Sequence, residues 1–462
     1  YTTIISAALW CAERSFPMYK FADGLYTDVR VEERFTTSVS YRNGALEESK
    51  NSTVKKAFIR VYDGNMWYYA STYRTDAIQE EIDRLSEMAT PDKHIAENPV
   101  VRRFQSNKAT LIKFSGDSVK DIPIEKKRAY LEDLFPAMQS SPYVKMAVGI
   151  YADRYSLYEF YSSKGAEIKY DFQLCGAGVS LALANEKDNF SDALMSSSDS
   201  FSKISLTKEK VKEFCAELEK FLLTAKPVQA GTYPVILSPM AARVFAHESF
   251  GHKSEADFML GDETMKKEWA LGKKVGADIL SIYDSGLEEG SGYVPFDDEG
   301  TRAEKTYLIK NGVLCGRLHS AQTAADIGEH TTGNARAIDC EFEPIVRMTS
   351  TVIEAGDTPV EQLFARIKHG YFIKSYKHGS GMSTFTIAPA RAYEIKDGKI
   401  GDPVKIAVIS GNVFETLNLI DGLSDKAEII SSIFGGCGKN EQFPLSVSFG
   451  GPYVSVSEMN VQ

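Results

Sequence analysis

Four Asx-Gly pairs set between alternating apolar and polar runs constrain this chain more than anything else in it: Asn43-Gly44, Asp63-Gly64, Asn311-Gly312 and Asp397-Gly398. A two-residue hairpin loop with positive φ at both positions matches the right-handed twist of its strands, and Asx-Gly pairs accept that backbone readily. They predict hairpins in both halves of the chain. The flanking runs agree: Val29 to Phe35 and Ser38 to Arg42 lead into Asn43-Gly44, while Phe58 to Tyr62 and Met66 to Tyr69 flank Asp63-Gly64-Asn65. Thr306 to Ile309 precedes Asn311-Gly312, and Ala392 to Ile395 precedes Asp397-Gly398. Further β segments are expected at Tyr143 to Tyr161 and Ala166 to Ala184, around Lys164-Gly165, and at Tyr233 to Leu237, Phe385 to Ile387 and Ala407 to Ile409.

Helical spacing interrupts these runs. Asp76 reads as an N-cap, with Gln79 three residues on and Ile78, Ile82 and Leu85 as a buried stripe. Lys208 to Leu223 carries Val211, Phe214, Cys215, Leu218 and Leu222 on one face. Ser238-Pro239 supplies an N-cap and a first-turn proline for a third helix, and Thr358 to Ile367 is an amphipathic fourth. Between them Thr224-Ala225-Lys226-Pro227-Val228-Gln229-Ala230-Gly231 has linker composition. The expected organisation is α+β: an N-terminal α/β domain with hairpins and helices at 1–227, and a C-terminal antiparallel β-rich domain at 228–462.

Composition narrows the functional classes. Over 462 residues, 53 Lys and Arg oppose 63 Asp and Glu, a net charge of −10, which argues against a duplex-binding surface and so against direct nucleic-acid binding. The longest nearly apolar stretch near the start, Ile4 to Ala12, is far shorter than the roughly 20 residues a membrane helix needs, so no membrane role is expected. Six cysteines, at 11, 175, 215, 315, 340 and 437, show no C-x-x-C spacing. They read as free, mostly buried thiols of a reducing, cytoplasmic protein.

The chemistry concentrates in the third helix, which runs into His247-Glu248-Ser249-Phe250-Gly251-His252. His-Glu-x-x-His would place two imidazoles on one helical face, able to share a zinc ion beside a glutamate that polarises water. Here the histidines are five apart, about 140° around a regular α-helix. A π-type turn brings such residues into line, and Gly251 offers a permissive backbone for the distortion. A third ligand must come from elsewhere. Glu255 and Asp257 are near in sequence, but Cys437, between glycines in Phe434-Gly435-Gly436-Cys437-Gly438-Lys439, is the strongest candidate, with Lys439 placed to favour a thiolate. The alternative is a cysteine that fills a gap in a turn.

Two other segments stand out. Phe296-Asp297-Asp298-Glu299-Gly300 could form a second metal site or a substrate-amine anchor, though an acidic turn that orders a loop over the active site is the simpler reading. Asn334 and Arg336 could grip the backbone or carboxylate of a substrate, or tie a loop together.

Taken in order, these motifs, together with Arg347-Met348-Thr349 and the segment from Cys437 to Gln442, resemble the TldD/PmbA family of metalloproteases, strongly from about Thr232 onward and more weakly before it. The resemblance implies a zinc peptidase with His247, His252 and Cys437 as metal ligands and Glu248 as general base. It also implies extended peptides as substrates, and a homodimer or a heterodimer with a PmbA/TldE-like subunit. A non-catalytic scaffold or regulatory subunit of such a complex is the alternative. The chain departs from the family at Glu441, where glycine is commoner.

Overall fold

Strands Tyr26–Arg42 and Ala45–Tyr62 form a long antiparallel hairpin, turned by Asn43 and Gly44 at φ of 49° and 85°. Asn311-Gly312 and Asp397-Gly398 adopt the same backbone, with φ of 50° and 74° and of 45° and 77°. Asp63-Gly64 differs. Only Gly64 is left-handed, and Asp63 instead accepts from the backbone N–H groups of Asn65 and Met66 at 2.9 and 2.8 Å. The computed structural model describes residues 19–381 and 383–462, so Cys11 and the Ile4 to Ala12 stretch lie outside the described residues.

The first sheet runs in the order Trp67–Thr72, Ala45–Tyr62, Tyr26–Arg42, Val144–Ser162, Glu167–Ala184, Lys108–Leu111, with Asn189–Ser198 also pairing Glu167–Ala184. All these pairings are antiparallel except that of Lys108–Leu111, so the N-terminal half is built from hairpins rather than from crossover βαβ units. Helix Lys208–Thr224 buries Val211, Phe214, Cys215, Leu218 and Leu222 against Cys175, Val179 and Leu181 of this sheet. Phe221, on the same helix, packs instead with Ile236, Phe372 and Tyr393 of the C-terminal half. One helix thus serves two cores.

The C-terminal half holds two larger sheets. One runs Tyr376–Gly381, Thr384–Pro389, Ile409–Asn412, Val454–Val461, Gly231–Leu237, His369–Ile373, Ala392–Lys396, Lys399–Lys405, Lys226–Pro227, with Ile420–Leu423 beside Val454–Val461. The other runs Val313–Leu314, Lys305–Lys310, Ile282–Ser285, Ser350–Ile353, Ser448–Gly451, Glu428–Ile430. Three pairings are parallel, Ser350–Val352 with Ser448–Gly450, Tyr371–Ile373 with Val235–Leu237, and Val404–Lys405 with Lys226–Pro227, so the half is mixed rather than purely antiparallel. The linker-like segment therefore enters the C-terminal sheet. Helix Pro239–Ala246, capped by Ser238 Oγ accepting from Ala241 N at 3.2 Å, packs on Ser350–Ile353 and Ser448–Gly451 within the main core. The molecule is a mixed, strand-rich α+β protein with several sheets.

Local details correct the sequence reading. The first helix is Ile78–Met88, its N-cap is Ala77 without a side-chain bond, and Gln79 is committed to the backbone of Lys20. Asp76 lies one residue too early to cap it. The helix expected at Thr358 to Ile367 shortens to Val360–Ala365, and the strand expected at Ala407 to Ile409 starts at Ile409. Cys315 is exposed; the other described cysteines are buried, and all five are free. Among the described residues no helix is long and apolar enough to cross a membrane.

Candidate metal centre

The helix that begins at Pro239 changes pitch at His247. His247–Gly251 forms a π-helical turn, followed by a tight turn at His252–Ser254. The widened turn brings the rings of His247 and His252 to 4.7 Å between centroids, on the same side of the helix. Gly251 is at φ −53°, ψ −53°, an ordinary right-handed helical backbone. Its glycine is needed for room instead, because a Cβ there would strike the sulfur of Met348.

The hairpin of Cys437–Lys439 and Gln442–Leu445 supplies the third side chain. One ligand atom from each of His247, His252 and Cys437 lies within 4.8 Å of the others, and Cys437 Sγ is 3.5 Å from His252 Nε2. Bond lengths of about 2.0 Å to nitrogen and 2.3 Å to sulfur place tetrahedral ligands of one ion roughly 3.5 Å apart. Burial alone would raise the Cys437 thiol, but the adjacent His247 and His252 imidazoles outweigh it and bring it down to about 5. Burial depresses His252, yet its bonds to Cys437 and Glu255 hold it up at about 10. Nδ1 of His247 is buried with no partner among the described residues. A thiolate beside two imidazoles, with an orphaned ring nitrogen, fits a zinc-like ion.

Around the cluster stands a supporting shell. His252 Nδ1 meets Glu255 Oε2 at 3.0 Å, which leaves Nε2 facing Cys437. Lys439 donates to that same Glu255 oxygen at 3.0 Å, to Asp257 at 2.7 Å and to the Val346 carbonyl at 2.9 Å. Burial works against the Glu255 carboxylate, but His252 and Lys439 keep it below the usual range. Glu255 and Asp257 are therefore partners of Lys439 rather than members of the cluster. Only the His252-x-x-Glu255 spacing signalled this in sequence. Glu441 is exposed and does not compete for Lys439.

A cleft of about 960 Å³ opens over the cluster. Its lining includes His247, Glu248, His252 and Cys437, the neighbouring Arg243, and Leu194, Met195 and Phe214 from the N-terminal half.

Asn334 and Arg336 are not brought to this cleft. Asn334 Nδ2 donates to Asp284 and to the Arg347 carbonyl at 2.9 and 3.0 Å, and Arg336 donates to the Met348 and Ser446 carbonyls at 2.5 and 2.8 Å. Arg336 lines a separate small pocket. The 296–300 segment also lies apart. Asp297 accepts from Glu299, Thr301 and Ala335 N–H groups, while Glu299 pairs with Arg60 at 3.2 Å, which in turn holds Asp28. That turn ties the N-terminal sheet to the C-terminal half.

Fold and cluster together define an α+β protein with a candidate His-His-Cys metal centre. Three family models match in succession: PmbA/TldA metallopeptidase domain 1 over residues 27–89, the central domain over 117–226 and the C-terminal domain over 230–462. A metalloprotease of Methanothermobacter thermautotrophicus is 30% identical over 93% of this chain and 94% of its own. A metalloprotease of Synechocystis is 41% identical over 52% of each chain, and a zinc metalloprotease TldD homolog of Saccharolobus solfataricus is 34% identical over 54% of this chain and 57% of its own. Among solved structures, TldE from Thermococcus kodakarensis superposes with a TM-score of 0.73 at 15% identity, over 94% of this chain and 96% of that one; this likeness shows the fold. The chain belongs to the PmbA/TldD metallopeptidase family.

Proposed function

We propose that this protein is a zinc-dependent peptidase that hydrolyses extended or unfolded peptides. The observation that carries the reading is the convergence of His247, His252 and Cys437 within 4.8 Å at the floor of a cleft that Glu248 also lines. His247, His252 and Cys437 would hold the ion, and the relative named a zinc metalloprotease supports zinc as its identity. Bound there, zinc supplies Lewis-acid polarisation of a carbonyl and lowers the pKa of water.

The chain's own groups do the rest. Glu248 takes the proton of the water that attacks the scissile carbonyl and delivers it to the departing amine nitrogen. Glu255 fixes the ring of His252, and Lys439 holds Glu255. Strand Tyr376–Gly381 ends its sheet, and Tyr376, Lys377 and Gly379 line the cleft. An extended peptide paired along that edge would be bound through its main chain. Assembly as a homodimer, or as a heterodimer with a PmbA/TldE-like subunit, and a reducing cytoplasmic setting complete the proposal.

Metal content of protein purified without added zinc, with cleavage of an unstructured peptide, tests it. Wild type should carry about one zinc per chain, Glu248→Ala should keep the metal and lose cleavage, and Cys437→Ser should lose the metal. No bound metal, with cleavage indifferent to Glu248→Ala, would sink the peptidase reading.

A further inference from the structure

Arg243 is an uncommitted cation beside the candidate centre. It precedes His247 by one helical turn, so the two side chains leave the same face of the helix. The guanidinium lies over the rings of Tyr376 and Phe449, 5.4 and 5.7 Å from their centroids, and Phe449 is in turn 4.7 Å from the His247 ring. Nη2 donates to the Tyr376 hydroxyl at 2.9 Å. Nε is buried with no partner, and among the described residues Arg243 has no ion pair.

The other charged groups of the cleft sharpen the contrast. Arg391 is saturated by Asp192 and Glu217 at 2.7 Å each, and Lys374 by Glu217 at 2.7 Å. Among the described residues Lys210 and Lys377 are exposed and form no ion pair, and the cleft's remaining carboxylates are Glu213 and Glu248, the Cys437 thiolate being matched by His252. The free charge of the cleft therefore leans positive in a chain whose net charge is −10. A guanidinium that lines a cleft without an ion pair is best answered by the two oxygens of a carboxylate.

We propose that Arg243 binds a carboxylate of the substrate about two residues from the scissile bond. The spacing follows from geometry: four residues of helix rise about 6 Å, and an extended peptide covers about 3.3 Å per residue. The carboxylate can be an Asp or Glu side chain or the C-terminus of the peptide. This inference rests on the peptidase reading for the position of the scissile bond. The contact itself can be measured without turnover.

The test uses two matched peptide pairs: Glu against Gln two residues from the cleaved bond, both C-terminally amidated, and a neutral peptide as free acid against its amide. Wild type should favour one carboxylate member in kcat/KM by about tenfold or more, and the pair that shows the preference identifies the source. In Arg243→Gln that ratio should collapse toward one, and Arg243→Lys should recover part of it. Zinc content and thermal midpoint report whether each variant is folded. A ratio of one in wild type, or a ratio unchanged in Arg243→Gln, overturns the proposal. If wild type cleaves nothing, the peptidase reading fails, and fluorescence anisotropy of the same peptides on Glu248→Gln, with and without Arg243→Gln, decides this one. Carboxylate-dependent binding lost with Arg243 supports it; carboxylate-independent binding overturns it.

Discussion

Cys437 Sγ stands 3.5 Å from His252 Nε2 although 185 residues separate them in the chain. The hairpin that delivers the cysteine also delivers Lys439, which meets the Glu255 oxygen that holds the other side of the His252 ring. One buried carboxylate thus ties the two segments of the centre together, and removing its charge should loosen both.

Glu255→Gln keeps the volume of the side chain and leaves Lys439 with Asp257 as its one carboxylate partner, beside the Val346 carbonyl. With all three ligands in place, zinc affinity should fall about 10–100-fold, the usual effect of losing an outer partner of a ligating histidine. Competition with a chromophoric chelator measures it. An affinity equal to that of wild type would mean that packing alone orients His252.

In the N-terminal sheet, Glu32 sets part of the acid limit of the fold. Burial acts to raise its carboxyl, but Arg154 and Arg34 overcome this and bring it from 4.5 to about 2. Since the folded value lies below the unfolded one, the stabilisation is complete above about pH 5 and is lost as pH falls toward 2. It amounts to about 3 kcal/mol. Urea midpoints measured from pH 6 to pH 2 should fall more steeply in wild type than in Glu32→Gln, which starts lower because it strands two arginines. Parallel slopes would remove Glu32 from the account.

Glu441 occupies a left-handed position, φ 65°, next to Asn440 at 48° in the turn of the cysteine hairpin. A side chain there costs about 1–2 kcal/mol relative to glycine, partly offset by the freer unfolded chain of a glycine variant. Glu441→Gly should therefore raise stability by about 1 kcal/mol. Zinc affinity should not move, because Lys439 already has its three partners. Chemical denaturation and chelator competition on the same variant check both halves.

What was legible in the sequence was what is local. Asn43-Gly44, Asn311-Gly312 and Asp397-Gly398 announce their own backbone, and the five-residue spacing of His247 and His252 foretells a π-type turn because no regular helix aligns them. The glycines around Cys437 mark it in the sequence. What stayed hidden depends on contacts between distant segments. From sequence Glu255 reads as a possible ligand, and only the fold sets Lys439 beside it; Asn334 and Arg336 read as available, and only the fold brings up the carbonyls they hold. Arg243 gave no signal, since its isolation is a property of the cleft rather than of its neighbours in the chain.

Gly251 is the sharpest case, because spacing suggested the right residue for the wrong reason. Its backbone is one that any residue adopts, and what it provides is space for the fully buried Met348. The backbone of Met348 is held by Arg336, so its side chain must absorb any added Cβ. Gly251→Ala should cost about 1–3 kcal/mol through overpacking and should lower zinc affinity by shifting the turn between the two histidines. The same substitution in a Met348→Ala background should cost far less, and the coupling in that double-mutant cycle measures the contact. Equal costs in the two backgrounds would return the explanation to backbone permissiveness at the π-turn.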